Sequence, residues 1–400
     1  MADAFGALAR VVRDSNCSGC GACAALAKNL RMDLSADGYM RPVRREAGNP
    51  LAELDRKLFE AICPGVALEP PPHTHSLDRL FGRYISVWQG HAVDPEVRQR
   101  GSSGGVLTAL TAWLVEGGDV EYAVGAAHEP GTTRSVPVVL RSRAAALEAA
   151  GSRYAPVSVA QAFDPQSGGL FIGKPCEVAA VARAENELGD GRRGIKFSFF
   201  CAGTPSQSAT DELVASQVSG PIKTLRYRGQ GWPGELVVEG VNGERTTMDY
   251  ETAWSSHLGP TIQWRCKICP DGTGEYADIS VGDFWESDEQ GFPVFSDRPG
   301  SSVVIARTEL GDTLLRRAVE AGVIELSSLD IDMVRRVQPS QVLRRESLGA
   351  RIVGSRLAGL KAPRFRGYRI IQGIAAHPLR SVRAAAGTWS RVRRGKAGVI

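Results

Sequence analysis

The sequence predicts a mixed α/β (α+β) fold, with a small ferredoxin-like cysteine module ahead of a larger α/β body that does not follow the Rossmann plan. Three observations predict it. Apolar runs of strand length alternate with helix-length segments between residues 85 and 322, the pattern of an α/β body. Ahead of them, Cys17-Ser18-Gly19-Cys20-Gly21-Ala22-Cys23 sets three cysteines at Cys-x-x-Cys-x-x-Cys spacing. Finally, Gly189-Asp190-Gly191-Arg192-Arg193-Gly194 matches the dinucleotide fingerprint by letter only. It follows a helix-like run, Val178–Leu188, and precedes a strand-like one, the reverse of the strand–turn–helix order that the fingerprint needs.

At 400 residues the chain can bury a sizeable core and is expected to hold two or three modules. The expected divisions are a cysteine module with its linker over 1–75, the body over 76–340 and a basic tail over 341–400. Hydrophobic residues make up 43% and charged residues 23%, ordinary for a protein that folds in water. No run approaches the roughly 20 apolar residues that span a bilayer, and none follows a basic start. A cytoplasmic location is therefore expected. The eight cysteines should then be thiols rather than disulfides, and eight is twice four.

In the first module, the glycines let the backbone wrap closely around the point where the three thiolates aim. A third cysteine at the same interval favours an iron–sulfur cluster, in which each of four irons takes one thiolate. Cys63, followed by Pro64 and Gly65, is the candidate fourth ligand. About 40 residues separate it from Cys23, against about three in the compact ferredoxin run. Structural zinc on Cys17, Cys20, Cys23 and Cys63 is the alternative reading. Pro70-Pro71-Pro72 and His73–Leu77 read as the linker.

The body opens with a strand over Ile85–His91. Arg100-Gly101-Ser102-Ser103-Gly104-Gly105 then starts a helix over Val106–Glu116, stopped by Gly117-Gly118. Its backbone N–H groups, two hydroxyls and helix start could face a pyrophosphate; a small-residue N-cap is the plainer alternative. A strand at Tyr122–Ala127 and a short helix at Ala144–Ala150 follow. Strands at Leu170–Gly173 and Ile195–Phe200 lead into Cys176 and Cys201. Residues Leu225–Gly240 have β-character with a turn at Gly229–Pro233. Strands at Asp278–Gly282 and Ser302–Arg307 precede a helix, Leu310–Glu320, that ends at Gly322. The other four cysteines are Cys176, Cys201, Cys266 and Cys269. Strand ends converge on one sheet edge, so these thiolates could meet there around a second cluster; singly, each would read as core packing.

Taken in order, these blocks resemble the coenzyme F420 hydrogenase/dehydrogenase beta-subunit family, which also includes chlorophyll-pathway reductases. The resemblance spans roughly residues 15–345, through Cys17–Cys23, Arg100–Leu110, Gly151-Ser152-Arg153-Tyr154, Gly173–Ala180, Phe200–Ser206, Tyr227–Pro233, Arg265–Pro270 and Ala277–Trp285. It implies an FAD-containing iron–sulfur protein, in a family whose members differ in cluster number. Two [4Fe–4S] clusters are expected, one on Cys17, Cys20, Cys23 and Cys63, and a second on Cys176, Cys201, Cys266 and Cys269, four residues that fall within the matching blocks. It also implies a flavin beside Gly101, Ser102, Ser103, Gly104 and Gly105, with Ser152, Arg153 and Tyr154 contributing. Gly104 would admit the pyrophosphate to the backbone. Arg153 stands where the family commonly has Lys. Ala24-Ala25-Leu26-Ala27 stands where it often has a further Cys-Pro, which leaves Cys63 as the fourth ligand.

The implied function is an iron–sulfur flavoprotein oxidoreductase. It would pass electrons between clusters, FAD and a small organic acceptor, an F420-like deazaflavin or another substrate. The alternatives are a non-catalytic electron-transfer subunit and a ferredoxin-dependent tetrapyrrole reductase. The implied partners are ferredoxin or a partner redox subunit. No residue is assigned proton transfer; Asp283 and Tyr154 are the polar residues closest to the implied cofactors. Trp232 and Trp285 read as core packing or as shields for a cofactor.

From Gln341 onward, 14 Lys/Arg face one acid, Glu346, a net charge of +13 on a body of −9. Gly349, Gly354, Gly359, Gly367 and Gly373 argue against one long helix. The charge lacks a recognition motif, so nucleic acid is not an expected partner. The tail is expected either to pack back on the acidic body or to dock on an anionic surface. That surface would be the inner membrane face or an acidic electron donor.

Overall fold

The computed structural model describes residues 4–45, 54, 56–72, 75–188, 193–285 and 299–394. Its centre is an eight-stranded mixed sheet of β1 (Ser86–Ala92), β2 (Ala123–His128), β3 (Ser135–Leu140), β4 (Leu170–Gly173), β5 (Ile195–Phe199), β6 (Ile279–Asp283), β7 (Ser302–Ala306) and β8 (Ile324–Ser328), in the spatial order β8-β1-β7-β6-β5-β4-β2-β3. β2, β4, β5 and β6 pair in parallel, and β1 runs the same way because it and β6 are both antiparallel to β7. Strands such as β7, Ser-Val-Val-Ile-Ala, are buried along their whole length, as expected when both faces of a sheet are covered.

The edge strands β3 and β8 escape the sequence reading. β3 carries Pro137, which an edge strand tolerates, and β8 is mostly polar and half-exposed. The N-terminal module consists of helix α1 (Ala4–Arg13), the antiparallel pair Leu30–Leu34 and Met40–Arg44, and a short helix Arg56–Ile62. Ala4, Ala7, Leu8, Val11, Leu30, Leu54 and Phe59 form its core. Helix α2 (Val106–Glu116) follows the glycine–serine loop, and α3 (Pro175–Leu188) follows β4. A three-stranded antiparallel sheet (Ile222–Arg226, Glu235–Gly240, Arg245–Asp249) holds the expected turn between its first two strands. The fingerprint-like turn is flanked by α3 and β5 in that order, and its residues 189–192 lie outside the described residues.

The tail forms α4 (Pro339–Leu357), α5 (Ile370–Ala376) and α6 (Pro378–Arg393). The expected division at 340 falls inside α4. Gly354 lies within that helix rather than breaking it. A Cβ there would stand 2.2 Å from the Ala385 carbonyl oxygen, so the glycine lets α6 lie close against α4. The segment between α4 and α5 returns to the first module. Its residues Arg364–Phe365 pair in parallel with Ala67–Leu68, and Asn16 Nδ2 donates to Lys361 O at 2.7 Å. Among the described residues no helix is long and apolar enough to cross a membrane.

Candidate functional site

The carboxyl ends of β1, β4, β5 and β6 lie on one edge of the sheet. Ligand sites form outside such an edge because the turns there present backbone groups and converging side chains. The loop 101–105 lies beyond β1, Cys176 in the first turn after β4, Cys201 just past β5, and Asp283 at the end of β6.

Cys17, Cys20, Cys23 and Cys63 line one pocket, with Leu8, Val11, Phe59 and Ile62 among its apolar walls. The hairpin and the Arg56–Ile62 helix fold back to bring Cys63 to the triplet. Burial, reinforced by the neighbouring thiols, pushes Cys20 up to about 11 and Cys63 to about 12, and raises Cys23 too. Thiols so desolvated ionise when a cation takes up their charge, as on metal binding. The four cysteines around this one apolar pocket fit a cluster that takes a thiolate at each corner.

The second four also approach one another. Cys201 and Cys266 are joined through Gly203 (φ +125°), where a Cβ would stand 3.3 Å from Cys266 Cβ. Burial pushes Cys201 up to about 12, with Cys266 and Cys269 adding to the rise and Arg344 and Lys174 opposing it. Cys176 is raised by burial, and both Cys269 and Cys20 bear on it. Gln263 Nε2 donates to Cys266 Sγ at 3.5 Å, and Cys269 Sγ to Asp271 O at 3.0 Å. Among the described residues no three His, Cys, Asp or Glu side chains gather closely enough to hold a single metal ion. Ligands of a four-iron cluster line a cavity rather than meet at a point, and the first quartet does so.

The two quartets share a wall. Gln263 Nε2, beside Cys266, also donates to Ser18 O at 3.1 Å, and Arg265 Nη2 donates to Pro64 O at 3.1 Å. Ser158 Oγ donates to Gly19 O at 2.8 Å. Lys174 is buried between Glu177 (2.7 Å) and Val157 O (2.7 Å). Burial lowers its pKa, but Glu177 and the thiols of Cys176 and Cys201 outweigh that and raise it. The ammonium therefore stays charged beside the second quartet.

The glycine–serine loop is tied inward. Ser103 Oγ donates to Ser301 O at 2.8 Å, and the Gly104 N–H donates to Ser302 Oγ at 2.9 Å. A Cβ at Gly104 would stand 2.5 Å from Gly90 O in β1. Packing of the loop on the strand thus already requires glycine there, whatever ligand approaches. Ser102 Oγ accepts from the Ser152 N–H at 2.5 Å, so the loop does meet Gly151–Tyr154. Arg153 donates to Ser135 Oγ (3.0 Å) and Leu225 O (2.9 Å) and lies over the Tyr227 ring.

Beside it, Arg228 is fully buried and ion-paired with Asp283 at 2.8 Å. Its guanidinium is 4.7–4.8 Å from the ring centroids of Trp232, Tyr250 and Trp285. The Nη2 atoms of both Arg153 and Arg228 are buried without a hydrogen-bond partner. Two orphaned cationic donors beside the loop fit an anionic, aromatic cofactor, since each unmade bond has a cost that a phosphate or flavin oxygen would relieve. Trp232 and Trp285 pack on each other at 4.4 Å. Tyr154 contacts Tyr227, Tyr250 and Trp254.

Two family models match the chain. The N-terminal part of the coenzyme F420 hydrogenase/dehydrogenase beta subunit covers residues 87–164, and the C-terminal part covers residues 169–332. The chain belongs to this family. The beta subunit of coenzyme F420 hydrogenase from Methanococcus voltae is 26% identical over 306 residues, 71% of this chain and 99% of that protein. A coenzyme F420-dependent sulfite reductase from Methanocaldococcus jannaschii is 26% identical over 240 residues, 55% of this chain and 35% of that protein. A chain of the F420-reducing [NiFe] hydrogenase complex from Methanosarcina barkeri shares the fold, with a TM-score of 0.54 and 21% identity, covering 73% of this chain and 99% of that one.

For this member of the F420 hydrogenase/dehydrogenase beta-subunit family, the matched spans take in the loop 101–105, Ser152–Tyr154, Cys176, Cys201, Cys266 and Cys269. Cys17, Cys20, Cys23 and Cys63 precede both spans. Sequence reasoning missed Lys174, Arg228, Gln263 and Arg344. The first two stand inside blocks it quoted, but a buried, paired cation cannot be told from a surface one by letter alone.

Proposed function

We propose that this chain is an iron–sulfur flavoprotein oxidoreductase that transfers electrons to or from an F420-like deazaflavin. In this reading Cys17, Cys20, Cys23 and Cys63 hold one [4Fe–4S] cluster and Cys176, Cys201, Cys266 and Cys269 a second. FAD lies against the loop 101–105, Ser152, Arg153 and Tyr154. When bound, the clusters supply one-electron transfer and the flavin exchanges one electron for two.

The observation that carries the proposal is the order of sites along one sheet edge. The loop stands beyond β1, the Arg228–Asp283 pair at β6, Cys201 at β5 and Cys176 at β4. The first quartet lies on the far side of the wall formed by Gln263 and Arg265. Arg153 and Arg228 would bind the anionic parts of the flavin through their orphaned Nη2 atoms. Tyr154, Tyr250 and Trp254 would exclude water beside it, and Lys174 would offset the charge of the second quartet. The names of the relatives support F420 as the acceptor. The likeness to a chain of a hydrogenase complex favours a partner redox subunit over free ferredoxin as the other electron carrier.

The test is F420 reduction by the anaerobically purified chain with a reduced viologen as donor. Bleaching of F420 that Arg228→Gln slows at least tenfold is the expected result. Flavin-loaded protein that accepts viologen electrons but leaves F420 untouched would overturn F420 as acceptor.

A further inference from the structure

The family models end at residue 332, yet helix α4, which begins at Pro339, lies directly on the second quartet. Its first exposed-looking basic pair is turned inward. Arg344 Nη1 donates to the carbonyl oxygen of Cys201 at 2.7 Å, and its Nη2 donates to that of Ala202. Gln341 Nε2, one turn earlier, donates to the same Cys201 oxygen at 3.2 Å. Arg345 donates to Pro270 O and approaches Glu275 at 3.4 Å, and Arg351 Nη1 donates to Lys267 O at 2.9 Å. The carbonyls that α4 takes thus belong to the Cys201–Ala202 loop and to the end of the short helix Trp264–Lys267 with the turn after it, the segments that carry Cys201, Cys266 and Cys269. A guanidinium fork across two successive carbonyls fixes a loop more firmly than a single donor does, because both its direction and its plane are set.

We propose that α4 is a clamp on the second quartet, with Arg344 as a positioning residue that holds the Cys201 loop and places a permanent positive charge beside the site. The inference rests on the reading of that quartet as a cluster ligand set. A thiolate-bound cluster is anionic and becomes more so on reduction, so a fixed cation nearby favours the reduced form and raises the potential. Arg344 brings this charge from outside the matched family span. The basic charge of this part of the tail is thereby spent inward on the redox site.

The experiment uses the full-length, anaerobically purified chain and compares wild type, Arg344→Gln and Arg344→Lys. Iron per chain and EPR-monitored redox titrations are the readouts. Wild type is measured first: about four irons per chain, rather than the about eight that two four-iron clusters contain, would sink the two-cluster reading itself. With about eight in wild type, Arg344→Gln is expected to shift the second signal to lower potential and leave the first unmoved. Arg344→Lys, which keeps the charge but loses the fork, should recover most of that shift. Should Arg344→Gln instead lose about half the iron with the first signal intact, the clamping role stands and Arg344→Lys reads the charge. Iron content and both potentials unchanged in Arg344→Gln, or both signals displaced together, would overturn the proposal.

Discussion

Desolvation makes Cys20, Cys23 and Cys63 poor acids, and this sets what single substitutions should do. Cys63 is held at about 12 by burial among apolar walls, so a serine there supplies a weaker ligand to the same pocket. Cys63→Ser should lower iron per chain without disturbing the signal of the second quartet. Iron analysis with EPR checks this, and full iron content in the variant would remove Cys63 from the ligand set. Gly104 makes a different prediction. Because its added Cβ would meet the Gly90 carbonyl at 2.5 Å, Gly104→Val should be destabilised by about 1–3 kcal/mol, the range of overpacked cores. A thermal melt separates the cases. A melting temperature equal to wild type with flavin lost would instead mark the glycine as a place of ligand approach.

Among the elements, the short helix Pro95–Arg100 leads into the glycine–serine loop and depends on its cap. Asp94 accepts from the N–H groups of Glu96 (2.8 Å) and Val97 (3.4 Å) and pairs with Arg143 at 2.6 Å. Slight desolvation pushes its pKa up, but the Arg143 hydrogen bond and the helix N–H groups outweigh it, so the carboxyl sits below its ordinary 3.8. A depressed folded pKa means that this stabilisation is present above the unfolded pKa and disappears as pH falls through the folded one. Asp94→Ala should therefore cost about 1 kcal/mol at neutral pH, with the difference closing only in acid below 3.8. Denaturant melts at pH 7 and at a series of pH values falling below 3.8 would follow the difference as it closes.

The same elements show how much the sequence tells. β1, β4, β5, β6 and β7 were legible because buried strands are continuous apolar runs, and α2 because glycines punctuate both its ends. β3 and β8 were not, since edge strands need no second apolar face. Nor was the first helix of the tail, α4: Gly349 and Gly354 look like helix breakers by propensity, yet they serve close helix packing, which only the tertiary partner reveals. Spacing pointed to Cys17, Cys20, Cys23 and Cys63, which line one pocket; strand ends pointed to Cys176 and Cys201, whose grouping with Cys266 and Cys269 as ligands belongs to the proposal. The inward course of Arg344 was not, because an arginine that caps carbonyls has the same letter as one in water.

At the scale of the whole molecule, one sheet edge sets the candidate sites in order, with the N-terminal module and the C-terminal helices tied together beside it. Asn16 on Lys361 and the pairing of Arg364–Phe365 with Ala67–Leu68 tie the tail to the first module. Removing everything after residue 338 should therefore loosen both quartets rather than leave an intact core. Such a protein should lose most of its iron on gel filtration while the full chain keeps it. The most direct test of the central claim is quantification of iron, acid-labile sulfide and FAD, with the visible spectrum, on full-length protein purified without oxygen. About eight irons and one flavin per chain are expected, with the broad visible absorption of [4Fe–4S] clusters beneath the flavin bands. Zinc in place of iron, or about four irons per chain with all four body cysteines dispensable, would contradict it.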